Sequence, residues 1–138
     1  MSEKSEDAAR AAGVHRRIVH LFTEGRRGEA LALIDPDVID HRGGVFGDQR
    51  GLAAWKDKWE HMNEGFQDVS VTIEHNAASG DFSANCYTVR GTHSASGQRY
   101  QVTGLDMIRV RDGKLVEHSA LVDSAAMLHQ LGLGGDAQ

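Results

Sequence analysis

The chain has 138 residues, of which 40% are hydrophobic and 25% charged, and its net charge is −5. That length makes one domain with a core of ordinary size, and the acidic balance argues against nucleic acid, whose phosphates call for a basic surface. No apolar run is long enough for a membrane span, and a single cysteine, Cys86, excludes an internal disulfide framework.

One unpaired cysteine fits a reducing compartment, and the N-terminal MSEKSEDAAR lacks the basic-then-apolar order of a secretory signal. A cytoplasmic protein is expected. Residues 1–5 are polar and expected to fray. From Glu6 to Glu24, Val14, Ile18, Leu21 and Phe22 recur at helical spacing, and Gly25 is a natural stop. His15 and His20 lie five apart and share no helix face, so they read as surface or packing histidines, not as a metal site. A short helix over Gly28–Ile34 follows, ended by Asp35-Pro36-Asp37. Val38–His41 reads as a short strand. Gly43, Gly44 and Gly47 make a flexible loop, and without Gly-Lys-Ser/Thr it is no phosphate cradle. In a third helix, Gln49 to Asn63, Leu52, Trp55, Trp59 and Met62 form one apolar stripe.

The rest is mostly strand. Val69, Val71 and Ile73 alternate with polar residues, and Phe82–His93 is a long strand between turns. Tyr100 to Asp123 is a hairpin with Asp112-Gly113 at its tip. Ser124–Leu131 closes the chain as a helix capped by Asp123, and residues 132–138 form a mobile tail. Helices segregated from a meander mean α+β, with a long antiparallel sheet curled around the helices and a pocket open at one end.

The hairpin carries the most informative chemistry. One face of its first strand holds Tyr100, Val102, Gly104, Asp106, Ile108 and Val110, so Asp106 interrupts an apolar surface. On its second strand Val116, His118, Ala120 and Val122 point the same way. A buried carboxylate must be paired, hydrogen-bonded or shifted in pKa.

Five stretches carry a family resemblance: Asp40-His41, Gly51–Trp55, Arg90–His93, Arg109–His118 and Gln130–Gly132. Together they resemble the SnoaL-like branch of the nuclear transport factor 2-like superfamily, which includes small polyketide cyclases. The resemblance spans nearly all of residues 1–138. It implies a cone-shaped α+β barrel, a homodimer paired through the convex face of the sheet, no cofactor, and aspartate and histidine acids and bases inside the cone. Two departures stand out. Ala120 occupies the place of the acid/base aspartate of the anthracycline aldol cyclases, and Asp106 stands where those enzymes have a histidine. Asp40 and Asp106 are instead similar in placement to the acidic pair of ketosteroid isomerases and of pyran-forming dehydratase-cyclases.

Two carboxyls in an apolar cup would share a proton, with one pKa raised. The expected function is therefore a cofactor-independent dehydratase-cyclase or isomerase for an apolar polyketide-type substrate. Asp40 and Asp106 would be the acid/base pair assisted by His118, with His41, Trp55, Trp59, Tyr87 and Tyr100 around the substrate. No Cys/His cluster has metal-ligand spacing. Structural roles stay open: Asp40 as a backbone acceptor near the glycine loop, Asp106 as a buried partner of His118. An epoxide hydrolase or epoxide-opening cyclase, and a non-catalytic binding or dimerisation module, remain as alternatives.

Overall fold

The computed structural model describes residues 3–42 and 47–133. Gly43, Gly44 and the tail from residue 134 onward lie outside them. The elements run α1 (Glu3–Thr23), α2 (Arg27–Leu31), β1 (Ile34–His41), β2 (Asp48–Arg50), α3 (Leu52–Gly65), β3 (Phe66–Ser79), β4 (Phe82–His93), β5 (Arg99–Arg111), β6 (Lys114–Val122) and α4 (Ser124–Gln130). No helix among the described residues is long and apolar enough to cross a membrane.

The architecture is α+β, with one six-stranded sheet ordered β2-β1-β6-β5-β4-β3. The sheet curves but does not close, since β2 and β3 are free edges. The meander from β3 to β6 is antiparallel as expected. The sheet is not antiparallel throughout, however, because β1 runs parallel to β6. The chain reaches that position by crossing over through α3 before the meander begins. β1 also starts earlier than expected, so Asp35-Pro36 lies inside a strand. The β1–β6 register shifts between Ile34 and Ile39, around the proline that has no N–H to give. β2 overlaps the start of the predicted third helix at Gln49 and Arg50, since three residues show no periodicity.

At the hairpin tip Asp112 and Gly113 take φ of +53° and +75°, the left-handed pair that a two-residue turn between twisted strands requires. Tyr100, Val102, Ile108 and Val110 are all buried, as the alternation predicts. The β6 side departs from expectation. A register shift between Arg109 and Val110 sets Leu115, not Val116, opposite Val110, and Leu115 is buried. Glycine is needed at Gly104, where a Cβ would collide with the Tyr87 ring.

The main core joins α1, α2 and α3 to β1, β5 and β6 through Ile18, Leu21, Phe22, Ile34, Val38, Trp55, Trp59, Ile108 and Leu115. A second cluster around Tyr100, Val102 and Leu131, with Phe66 and Met127, seats α4 at the other end of β5. Asp123 caps α4 as expected, its carboxyl accepting from the Ala126 N–H at 3.0 Å.

Candidate active site

Strand register builds the site. Ser83, Ile108, His118 and Asp40 are successive cross-strand partners, and Asn76, Asn85, Asp106 and Ala120 form the adjoining row. Both rows face the helices. The start of α3 is tied to β1 where the Gly51 N–H donates to the Val38 carbonyl at 2.8 Å. Gly51 takes φ +91° there. Trp55 and Lys58, one and two turns further along, therefore hang over Asp40.

Asp40 is 4% exposed, yet its carboxylate accepts three side-chain donors. These are Lys58 Nζ at 2.8 Å, Arg42 Nε at 3.0 Å and His118 Nδ1 at 2.9 Å. The other nitrogen of His118, Nε2, lies 3.4 Å from Asp106 Oδ2. Asp106 Oδ1 accepts from His15 Nε2 at 3.0 Å, and His15 Nδ1 meets Ser83 Oγ at 2.8 Å. Carboxylates only accept, so their partners fix the tautomers: Nδ1 of His118 and Nε2 of His15 carry hydrogens. Ser83 then donates to His15 and accepts from Asn76 Nδ2 at 2.9 Å. A continuous polar chain thus runs Lys58/Arg42–Asp40–His118–Asp106–His15–Ser83.

This geometry overturns the expected aspartate dyad. An imidazole stands between the two carboxyls, and neither pKa is raised. Burial pushes Asp106 up, but hydrogen bonds from His118 and His15 outweigh it and hold the carboxyl at about 2. Asp40 goes further down: burial opposes ionisation, and the His118 hydrogen bond and the Lys58 charge overcome it. Lys58 shows the converse, its pKa lowered by burial against the pull of Asp40. Its ammonium also lies 3.5 Å from the centre of the Trp55 ring.

The other expected residues separate. Trp55 packs edge-on against His118, ring centres 5.0 Å apart. Tyr87 faces inward over Gly104, and burial together with the Asp106 charge raises its hydroxyl to about 12. Trp59 lies behind Trp55 against Phe22, as core. His41 points to the opposite face of the sheet, bridging Asp48 and Glu117 at 3.0 Å each. Tyr100 belongs to the second core cluster.

Lys58, Arg42, His15 and Ser83 escaped the sequence reading. Only His15 carried a signal, since Ala11, His15, Ile18 and Phe22 repeat as one buried helical stripe. Among the described residues the partners of the Asp40 carboxylate are the side chains of Lys58, Arg42 and His118.

The side chains of Asp106 and His118 keep 15% and 14% of their exposure, enough to meet a substrate. Either N–H of a protonated His118 already has a carboxylate waiting, so a proton can move on and off with little rearrangement. Among the described residues no group of three or more His, Cys, Asp or Glu could hold a metal.

A family model for the SnoaL-like domain matches residues 15–118. IdmH from Streptomyces antibioticus, named a candidate polyketide cyclase, is 32% identical; the match covers 88% of this chain and 98% of IdmH with a TM-score of 0.78. A candidate SnoaL-like polyketide cyclase from Jannaschia sp. CCS1 matches 97% of this chain and 99% of its own at 14% identity, TM-score 0.85. A protein with ketosteroid isomerase-like fold from Catenulispora acidiphila matches 91% and 96% at 15% identity, TM-score 0.78. Likeness at those lower identities shows the fold. No curated protein matches the chain.

Proposed function

The chain belongs to the SnoaL-like domain family, and from that premise we propose that it is a polyketide-cyclase-type enzyme working by proton transfer on an apolar polyketide-type substrate. The observation that carries this reading is His118, held between the carboxylates of Asp40 and Asp106. Asp40, kept anionic by Lys58 and Arg42, orients the imidazole. Nε2 of His118 and Asp106 then face the substrate together.

Dehydration and cyclisation fit this arrangement. The His118–Asp106 couple takes a proton alpha to a thioester or ketone carbonyl. The resulting enolate expels the beta-hydroxyl, which accepts that proton and leaves as water. A second hydroxyl of the chain adds to the enone, losing its proton to the couple, and the alpha carbon takes a proton back. One C–O bond breaks, one forms, and one water is released. The sequence is redox-neutral overall, its proton transfers accompanying the C–O cleavage and C–O formation. Tyr87, with its hydroxyl held up at about 12, stays protonated at neutral pH and donates to the developing oxyanion. Asp106 is the cross-strand partner of Ala120, so the acid/base group absent at Ala120 is supplied from the neighbouring strand. Acid/base steps contribute about 10²–10⁴-fold, and holding the chain in a ring-forming shape contributes more.

The test offers a hydroxy-enone thioester and an epoxide analogue side by side. A cyclic ether from the hydroxy-enone is the expected product. Turnover of the epoxide alone would replace this reading with an epoxide-opening one, and binding of both without turnover would make the chain a binding module.

Pairing of two copies belongs to the same proposal. Leu105, Met107 and Leu121 stand 55%, 43% and 78% exposed on the outer face of the sheet. They border a groove of about 520 Å³ floored by the small residues Ala84, Cys86 and Ser119. Exposed apolar area of this kind marks an interface. Sedimentation equilibrium is expected to show a dimer that Leu121→Glu converts to monomer. A parent chain monomeric at tens of micromolar would contradict it.

A further inference from the structure

A cavity of about 480 Å³ lies between α1 and the β3–β4 edge, on the helix-facing side of the sheet. Ala12, Arg16 and His20 recur every four residues along α1 and turn one stripe toward it. Thr72, Ile73 and Asn76 from β3 and Asn85 from β4 form the opposite wall.

Two features of this wall and rim ask for a ligand. Asn85 is 2% exposed, and its Oδ1 accepts from Asn76 Nδ2 at 2.7 Å. Its own Nδ2 is buried and donates to nothing among the described residues. The orientation of that amide follows from its neighbour. Asn76 Nδ2 lies 3.2 Å from the Ala84 carbonyl, which only accepts, so that atom is the amide nitrogen; the Asn85 atom 2.7 Å from it is then the oxygen, and the Asn85 nitrogen points elsewhere. A buried donor without an acceptor is costly, and an oxygen delivered by a ligand removes that cost. At the rim, Arg16 is exposed and has no hydrogen-bond or ion-pair partner among the described residues. The floor of the cleft also adjoins the reacting group, because Asn85 and Asp106 are direct cross-strand partners.

We propose that this cleft is a subsite for an anionic acyl chain: a ligand oxygen accepts from the Asn85 amide, and the ligand's carboxylate is met by the Arg16 guanidinium. The assignment rests on the cyclase reading for its link to catalysis, and it narrows the substrate from apolar to apolar with an acidic end. The cavity is of ordinary size for a small-molecule site.

Decanoate and 1-decanol are the probes, titrated calorimetrically and by following the side-chain amide signal of Asn85 in nitrogen-15 NMR spectra. Decanoate is expected to bind at least tenfold more tightly than the alcohol and to move the Asn85 amide signal. Arg16→Gln, on an exposed helix face, is expected to erase that tenfold preference while the chain stays folded. Equal affinity for acid and alcohol, an Asn85 signal unmoved at saturation, or no binding of either probe would overturn the subsite. Hydroxy-enone turnover, run on the same samples, keeps the two proposals apart. Acid preference without turnover refutes the cyclase and leaves the subsite standing, and turnover without acid preference refutes the subsite alone.

Discussion

Asp106→Asn is expected to lower kcat for the hydroxy-enone by about 10²–10⁴-fold while the protein stays folded. Asparagine keeps the shape of the side chain, and its Oδ1 still accepts from His15 Nε2, where the parent bond measures 3.0 Å. What is lost is the negative charge facing His118 Nε2 and the ability to exchange a proton. A merely structural Asp106, tying α1 to the sheet through His15, would pass this substitution with kcat changed less than tenfold. Turnover surviving Asp106→Asn would sink the acid/base assignment.

Asp40→Ala is expected to cost about 3–5 kcal/mol of stability, because it removes the buried anion that Lys58 and Arg42 directly contact and leaves those cations without it. Lys58 Nζ, Arg42 Nε and His118 Nδ1 would all lose their acceptor at once. For a chain of this length that is a fall in Tm on the order of 10 °C. Differential scanning calorimetry decides it, and a loss under about 1 kcal/mol would mean that water readily replaces the carboxylate. The same charges set the acid limit of the fold. A carboxyl whose folded pKa is depressed contributes stability in full above its ordinary value, and that contribution is lost as pH falls through the folded value. Asp106 is held at about 2 against an ordinary 3.8, and Asp40 is held below its ordinary value as well. The parent should therefore lose stability between about pH 4 and pH 2. Asp40→Ala should show a shallower loss over that range, starting from a lower stability.

The fold was legible where sequence period and burial coincide. Period two on β5 named the buried face with Asp106 inside it, and the Asp-Gly tip set the hairpin. What period cannot reveal is a change of register. The bulge beside Val110 moved Leu115 into the core in place of Val116, and the β1–β6 register shifts between Ile34 and Ile39, around Pro36. The candidate site divides in the same way. Asp40, Asp106 and His118 stood out because polar groups on apolar faces need partners. Their partners did not stand out, since Lys58 and Arg42 look like ordinary surface charge until α3 is laid across β1. His41 was misplaced for a simple reason: it follows Asp40 directly, and successive residues of a strand face opposite ways. The two aspartates lie on either side of one imidazole and are not a direct pair, an arrangement set by the register of β6 that residue types alone do not show.

The central claim is that His118 moves the proton. Its most direct test is deuterium uptake at the alpha carbon of the N-acetylcysteamine thioester of octanoic acid in D₂O, read by mass spectrometry. No ring closure or leaving group is involved, so the measurement isolates proton transfer. The parent protein is expected to exchange the alpha hydrogens well above the buffer background, and His118→Gln to cut that rate by about 10²-fold or more. Exchange at background with the parent, or undiminished in His118→Gln, would contradict the account.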